Sequence, residues 1–182
     1  MAEKIALFAK IKLPEGCTFV KERKSVTVKG PKGELKKALP DSEIKIVQEG
    51  TTLNLSYNKT NKENKRKLFT TNAHIKNMIE GVINGFTYKL KICSGHFPMS
   101  VALKNNIIEI KNFIGEVVPR KLVIKEGADV KIDGDIITVQ ATDKEIAGQV
   151  AASIEKLTKR PGFDKRIFQD GIYIIDKNGK SV

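Results

Sequence analysis

A catalytic site needs a constellation of reactive side chains, and the residue types that build one are scarce in this chain. Its only histidines are His74 and His96, and its only cysteines are Cys17 and Cys93. Cys93 and His96 stand three apart, a spacing used in zinc sites. A structural zinc takes four ligands, however, and no second pair lies nearby in sequence. His74 falls one residue from an apolar helical stripe, where it reads as a boundary residue or a nucleic-acid contact. No serine sits in a nucleophile-elbow pattern. The run Lys29-Gly30-Pro31-Lys32-Gly33 lacks the spacing of a phosphate loop and lies between strand patterns rather than before a helix. Asp133 and Asp135 flank Gly134, which is turn chemistry more than an acid–base pair. These residues predict no bound metal, no cofactor and no catalytic turnover.

What the chain has in surplus is positive charge. Its 182 residues carry 33 Lys and Arg against 21 acids, a net charge of +12 and a pI near 9.6. Residues 1–85 contribute +8 (17 basic, 9 acidic) and residues 86–182 contribute +4 (16 basic, 12 acidic). A chain so charged is drawn to polyanions, of which nucleic acid is the commonest inside cells. An ordinary solvated lysine face is the competing reading. An anionic membrane ranks third, because no basic amphipathic helix with an aromatic face is present. No apolar run approaches the ~20 residues that span a bilayer. Lys4, Lys10 and Lys12 interrupt any signal-like apolar block at the start. The low cysteine count favours a reducing compartment such as the cytosol.

The basic residues cluster. Lys59, Lys62, Lys65, Arg66 and Lys67 crowd one predicted helix start, and Lys156, Lys159, Arg160, Lys165 and Arg166 crowd another helix end. Between Tyr88 and Pro98, Lys89, Lys91 and His96 interleave with Tyr88 and Phe97, which suits phosphate contact beside a stacking surface. Lys29 and Lys32 could touch phosphates from the KGPKG turn, or could simply belong to an exposed hairpin. With 6% aromatic residues and no Trp, base stacking should not dominate. The pattern fits structured RNA held by backbone and shape.

Two copies of one unit carry these clusters. VTVKGPKGEL, from Val26, returns 82 residues on as IEIKNFIGEV from Ile108, and TNKE at Thr60 returns in the same frame as TDKE at Thr142. A repeat of this length reads as two tandem small domains, 1–85 and 86–182. In the first, Ile5, Leu7 and Ile11, then Thr18-Phe19-Val20, Val26-Thr27-Val28, Ile44, Val47, Leu53 and Leu55 have the period of short strands. Capping boxes beginning at Thr60 and Thr142 open helices over about 61–83 and 143–159. Leu68, Ile75, Met78 and Val82 line one helix face, and Ile146, Val150, Ile154 and Leu157 the other. Gly85 and Pro161-Gly162 stop them. Strands then a helix, twice, predict an α+β fold of two duplicated domains, each an antiparallel sheet packed with one main helix. Beyond Phe163 the second copy adds Arg166, Phe168, a turn at Asp170-Gly171 and a strand over Ile172–Ile175.

Three segments give these units a family resemblance: YKLK…HFP from Tyr88 to Pro98, NFIGE from Asn112 to Glu116, and Arg166-x-Phe168-x-Asp170-Gly171-Ile172-Tyr173-Ile174 followed by Lys177. Together they resemble the large-subunit ribosomal protein family L-six, in its archaeal and eukaryotic branch (L-nine in eukaryotes). The Tyr-Lys-Gly-Lys-Gly ending of the bacterial branch is absent, and Phe163 stands where the family pattern carries a basic residue. The resemblance implies a structural, non-catalytic protein of the large ribosomal subunit, working in cytoplasmic translation near the factor-binding stalk base and the sarcin–ricin loop. It implies large-subunit rRNA, neighbouring large-subunit proteins and translation factors near the stalk base as partners, with no membrane. By matching segment, it implies RNA contacts at Lys89, Lys91, His96 and Pro98, at Asn112 and Gly115, and at Lys159, Arg160, Lys165, Arg166, Asp170 and Gly171. Further RNA or protein contacts would come from Lys29, Lys32, Lys62, Lys65, Arg66 and Lys67. An RNA-processing or RNA-modifying enzyme is the alternative from another class, and a general interaction scaffold is the third.

Overall fold

The computed structural model describes residues 7–22, 25–39, 43–57, 60–164 and 166–182; Lys4, Ile5, Lys59 and Lys165, named above, lie outside them. The chain divides into two compact units, Met1–Gly85 and Phe86–Val182.

In the first unit, β1 (Leu7–Lys12), β2 (Thr18–Lys21), β3 (Ser25–Gly30), β4 (Gly33–Ala38), β5 (Lys45–Glu49) and β6 (Thr52–Tyr57) precede α1 (Lys62–Ile83). They form two three-stranded antiparallel sheets, β1-β6-β5 and β2-β3-β4, rather than one. Alternation tells each strand which face to bury but not which strand to pair with. Leu53, Leu55 and Tyr57 of β6 point inward, and α1 lays Leu68, Ile75, Met78 and Val82 against them and against Val26 and Val28. All four stripe residues of α1 are buried, each contributing roughly 1.5–3 kcal/mol relative to exposure.

The second unit runs β7 (Phe86–Cys93), β8 (Ser100–Lys104), β9 (Ile107–Lys111), a 3-10 turn over Phe113–Gly115, β10 (Arg120–Val123), β11 (Ala128–Asp133), β12 (Ile136–Ala141), α2 (Lys144–Leu157), β13 (Gly171–Lys177) and β14 (Lys180–Ser181). Its sheets are β10-β9-β8 and β11-β12-β7-β13-β14. Phe86, Tyr88, Leu90 and Ile92 alternate inward from β7. They meet α2, whose most buried line runs through Ala147, Val150, Ala151 and Ile154, while Ile146 and Leu157 are partly buried at its margins. Two fully buried alanines, Ala147 and Ala151, stand at the centre of that face.

Both helices start one residue later than the capping-box reading. The N-caps are Asn61, whose side chain accepts from the Asn64 amide at 2.6 Å, and Asp143, which accepts from the Glu145 amide at 2.8 Å. Asn and Asp outrank Thr as caps. The shift is the same in both copies, so the 82-residue frame still holds.

Strand register shows where the copies agree and where they part. Thr18 pairs with Lys29 and Ser100 with Lys111, so the β2–β3 and β8–β9 hairpins match residue for residue in the 82-residue frame. Val28 pairs with Leu35, seven residues on, whereas Ile110 pairs with Arg120, ten residues on. The turn after β9 is thus three residues longer than its counterpart. The same holds one connection earlier. Ile11 pairs with Leu53 and Leu90 with Ile137, at matching places in their sheets. From there to the next hairpin is seven residues (Ile11 to Thr18) in the first unit and ten (Leu90 to Ser100) in the second. One further difference concerns an edge. Among the described residues β1 ends its sheet, whereas its counterpart β7 is flanked by β13.

Candidate nucleic-acid interface

The two lengthened connections of the second unit, residues 94–99 and 112–119, meet each other at one end of that unit. Asn112 sits at φ +57, which turns the chain sharply, and its amide nitrogen donates to the Pro98 carbonyl at 3.0 Å. Gly115 lies at φ +75 against the Phe97 ring. Ile114 between them is also left-handed, at φ +47. For a β-branched residue that conformation costs on the order of 1–2 kcal/mol and persists only where its surroundings over-determine it. Here they do. Phe113 is fully buried, and the Arg120 guanidinium lies 4.4 Å over its ring. Arg120 grips Glu116 through two hydrogen bonds, at 2.7 and 2.6 Å, and also donates to the Leu157 carbonyl at the end of α2. Those hydrogen bonds from Arg120 hold the Glu116 carboxyl below the usual range, against a smaller opposing effect of burial.

A third segment, 158–171, joins the same end. Asp170 is buried, and its Oδ1 accepts the backbone N–H of Gly95 at 2.7 Å and of His96 at 2.9 Å. Its Oδ2 accepts from His96 Nδ1 at 2.6 Å. Burial pushes the Asp170 carboxyl upward, but the bonds from His96 and Gly95 together outweigh it and hold the group below the ordinary carboxylate range. An ionised carboxylate can only accept, so Nδ1 carries the proton and Nε2 is the nitrogen left for an outside partner. The His96 ring packs on Phe168 at 4.8 Å, Phe168 meets Phe163 edge-on at 5.1 Å, and the Arg160 guanidinium lies 4.3 Å over Phe163. Asp170, His96, Phe168, Phe163 and Arg160 thus form one continuous ladder. The aromatic residue at 163, the departure from the family pattern, is a rung of it. Gly171 starts β13 at φ +152, and an added Cβ would lie 3.4 Å from Thr158 Oγ1 and the Tyr173 ring. Thr158 Oγ1 accepts the Ile172 N–H at 2.9 Å, which ties the end of α2 to β13.

Of the RNA candidates, His96, Pro98, Asn112, Gly115, Arg160, Asp170 and Gly171 therefore gather at this end, with exposed Lys159 beside Arg160 after α2. Pro98, Asn112, Asp170 and Gly171 brace it, and His96, Lys159 and Arg160 face outward. Lys89 and Lys91 stand elsewhere, on the face of β7 turned away from α2, beside Thr138 and Ile136 of β12. Arg166 is nearly fully exposed and pairs with Asp164 at 3.0 Å. Its side-chain and then its backbone hydrogen bond hold the Asp164 carboxyl low. Lys165 lies outside the described residues.

In the first unit the basic candidates are more committed. Lys29 pairs with Glu34 at 2.9 Å. Lys32 covers the end of α1, its backbone N–H donating to the Val82 carbonyl and its ammonium to the Asn84 carbonyl. Lys67 pairs with Glu63 at 2.8 Å. Lys62, Lys65 and Arg66 are exposed beside Phe69, itself 47% exposed. No group of three or more metal-binding side chains occurs among the described residues, and Cys93 and His96 are not part of one. No helix among them is long and apolar enough to cross a membrane. Sequence reasoning missed Arg120 and Thr158. Glu116 and Arg120 at a four-residue spacing gave a usable signal for the first, and nothing local marked the second.

The family described as Ribosomal protein L6 matches residues 13–85. Over its length the chain is 41% identical to the large ribosomal subunit protein uL6 of Methanobrevibacter smithii, covering 94% of this chain and 97% of the relative. It is 43% identical to uL6 of Methanococcus vannielii, with 93% of each chain covered. The match to uL6 of Ignicoccus hospitalis is 40% identical over 96% of both.

Proposed function

The chain belongs to the ribosomal protein L6 family, and from that membership we propose that it is a structural constituent of the large ribosomal subunit that grips large-subunit rRNA with the loop end of its second unit. It is a structural protein, not an enzyme. The observation that carries the RNA reading is the braced end itself. Three connections are locked together by hydrogen bonds and stacked rings, and His96, Lys159 and Arg160 are presented from it. A pre-organised loop loses little entropy on binding, and arginine's planar fork matches phosphate. Lys89, Lys91 and Arg166 add positive charge to the same unit, and Lys62, Lys65 and Arg66 form a second basic face in the first. As part of the same proposal, this grip lies near the factor-binding stalk base and the sarcin–ricin loop of a cytosolic ribosome, among neighbouring large-subunit proteins and within reach of translation factors, a reading that the family resemblance supports.

Reconstitution tests the reading. The wild-type protein should co-sediment with large subunits at one copy each, and its binding to large-subunit RNA should weaken steeply with salt. Each of Lys159→Gln and Arg160→Gln should lower the log–log salt slope by about 0.7–0.9. Binding that ignores salt, or substoichiometric loss from washed subunits, would refute it.

A further inference from the structure

Beside the aromatic ladder lies a cavity of about 320 Å³, at the lower end of the ~300–1,000 Å³ span of small-ligand sites. We propose that it captures one unstacked base of the large-subunit RNA, with the adjoining phosphates on Lys156, Lys159 and Arg160. The proposal rests on the chain's reading as a large-subunit constituent and names what one part of that interface holds.

The walls suit a base. Phe163, Phe168 and Tyr173 line the cavity, with Ile114 and Ile172 as its aliphatic floor. Every base has a π-face, and splayed bases are commonly held on aromatic side chains. Polar groups are present in small number, as in other oriented sites. The Glu155 carboxylate accepts the Ile174 N–H at 3.4 Å through Oε1. Its Oε2 has no partner among the described residues and can accept from a base edge. Lys156, Lys159 and Arg160 also line the cavity, and none is in an ion pair among the described residues. Three cations outside any ion pair among the described residues, one of them resting on the Phe163 ring, surround an aromatic slot and favour a ligand carrying phosphates over an apolar side chain of a neighbouring protein. The walls are also rigid. Phe168 is held by His96, which Asp170 holds in turn, and the left-handed turn at Ile114 sets that residue against the slot.

The test uses large subunits reassembled with the full chain. Short-wave ultraviolet irradiation of wild-type subunits should join a nucleotide to the peptide carrying Phe163 and Phe168, or to Tyr173. Chemical probing of base edges should show that same nucleotide protected in wild type and at least roughly tenfold more reactive with Phe163→Leu or Tyr173→Leu. Arg160→Gln, which leaves the rings in place, should expose it partially. Failure of the wild-type protein to enter subunits would sink the functional reading itself. Wild-type incorporation with no adduct at these residues and no base changed by any variant overturns the cavity proposal alone. So does an adduct to a neighbouring protein at the same residues.

Discussion

Removing the Asp170 carboxylate should unlock the interface without disturbing the first unit. The side chain is 4% exposed and accepts three hydrogen bonds, from Gly95 N–H, His96 N–H and His96 Nδ1. Hydrogen bonds to a charged group contribute about 1.5–3 kcal/mol each. Gly95 and His96 are exposed, so water can partly replace the lost acceptor and each bond counts for about 1 kcal/mol, below that range. Asp170→Ala should therefore cost the second unit about 3 kcal/mol. For a unit of this size that is a fall in Tm of roughly 12–24 °C. Asp170→Asn keeps an oxygen for the two backbone donors and should cost only about 1 kcal/mol. The pH profile follows from the depressed carboxyl. A group whose folded pKa lies below its unfolded value stabilises above the unfolded pKa, near 3.9, and that contribution is lost as pH falls through the folded value. Wild type should lose this increment in strong acid, and the alanine variant has none to lose. Hydrogen exchange is the assay, because it reports each unit separately and reads the Gly95 and His96 amides directly. An alanine variant within 1 kcal/mol of wild type, or an asparagine variant as damaged as alanine, would refute the reasoning.

Gly30→Ala should destabilise the first unit by about 1–3 kcal/mol in the same exchange experiment, because a Cβ there would come within 2.7 Å of Val82 Cγ2 and 3.0 Å of the Val82 carbonyl. Asp143→Ala should cost about 1 kcal/mol in urea unfolding and Thr142→Ala much less, since the aspartate is the cap. Arg120→Lys should behave like Arg120→Met, each losing about 2 kcal/mol by calorimetry, because an ammonium cannot make the paired bonds to Glu116 while reaching Leu157.

Much of the fold was legible because it is local. The alternation in β7 and the stripe of α1 give their buried faces directly, and the hairpins β2–β3 and β8–β9 keep the frame that the repeated sequence announces. Asn and Asp beside Thr hid the true caps, since all three can serve. The interface was less legible. Gly33 and Glu34 align with Gly115 and Glu116, yet the first pair opens a strand and the second closes a 3-10 turn. Identity at those positions concealed the three-residue lengthening. The bond from Gly95 to Asp170 joins residues 75 apart, and no local pattern encodes a contact at that separation. Charge marked Arg160 as a candidate but not the ring on which it rests.

The edge of β1, unpaired among the described residues, bears on how the molecule is made. Synthesis runs from the N-terminus, so the first unit emerges while the chain is still growing. An exposed strand edge is a template for another chain. β7 has the same exposure until β13, near the end of the chain, closes over it. Nothing among the described residues closes over β1, whose Phe8 is 65% exposed. Lys10 and Lys12, on the same face of that strand as Phe8, act as charged gatekeepers against stacking. During the interval before the second unit is complete, those two lysines are what the described part of the first unit offers against pairing of the β1 edge with another chain.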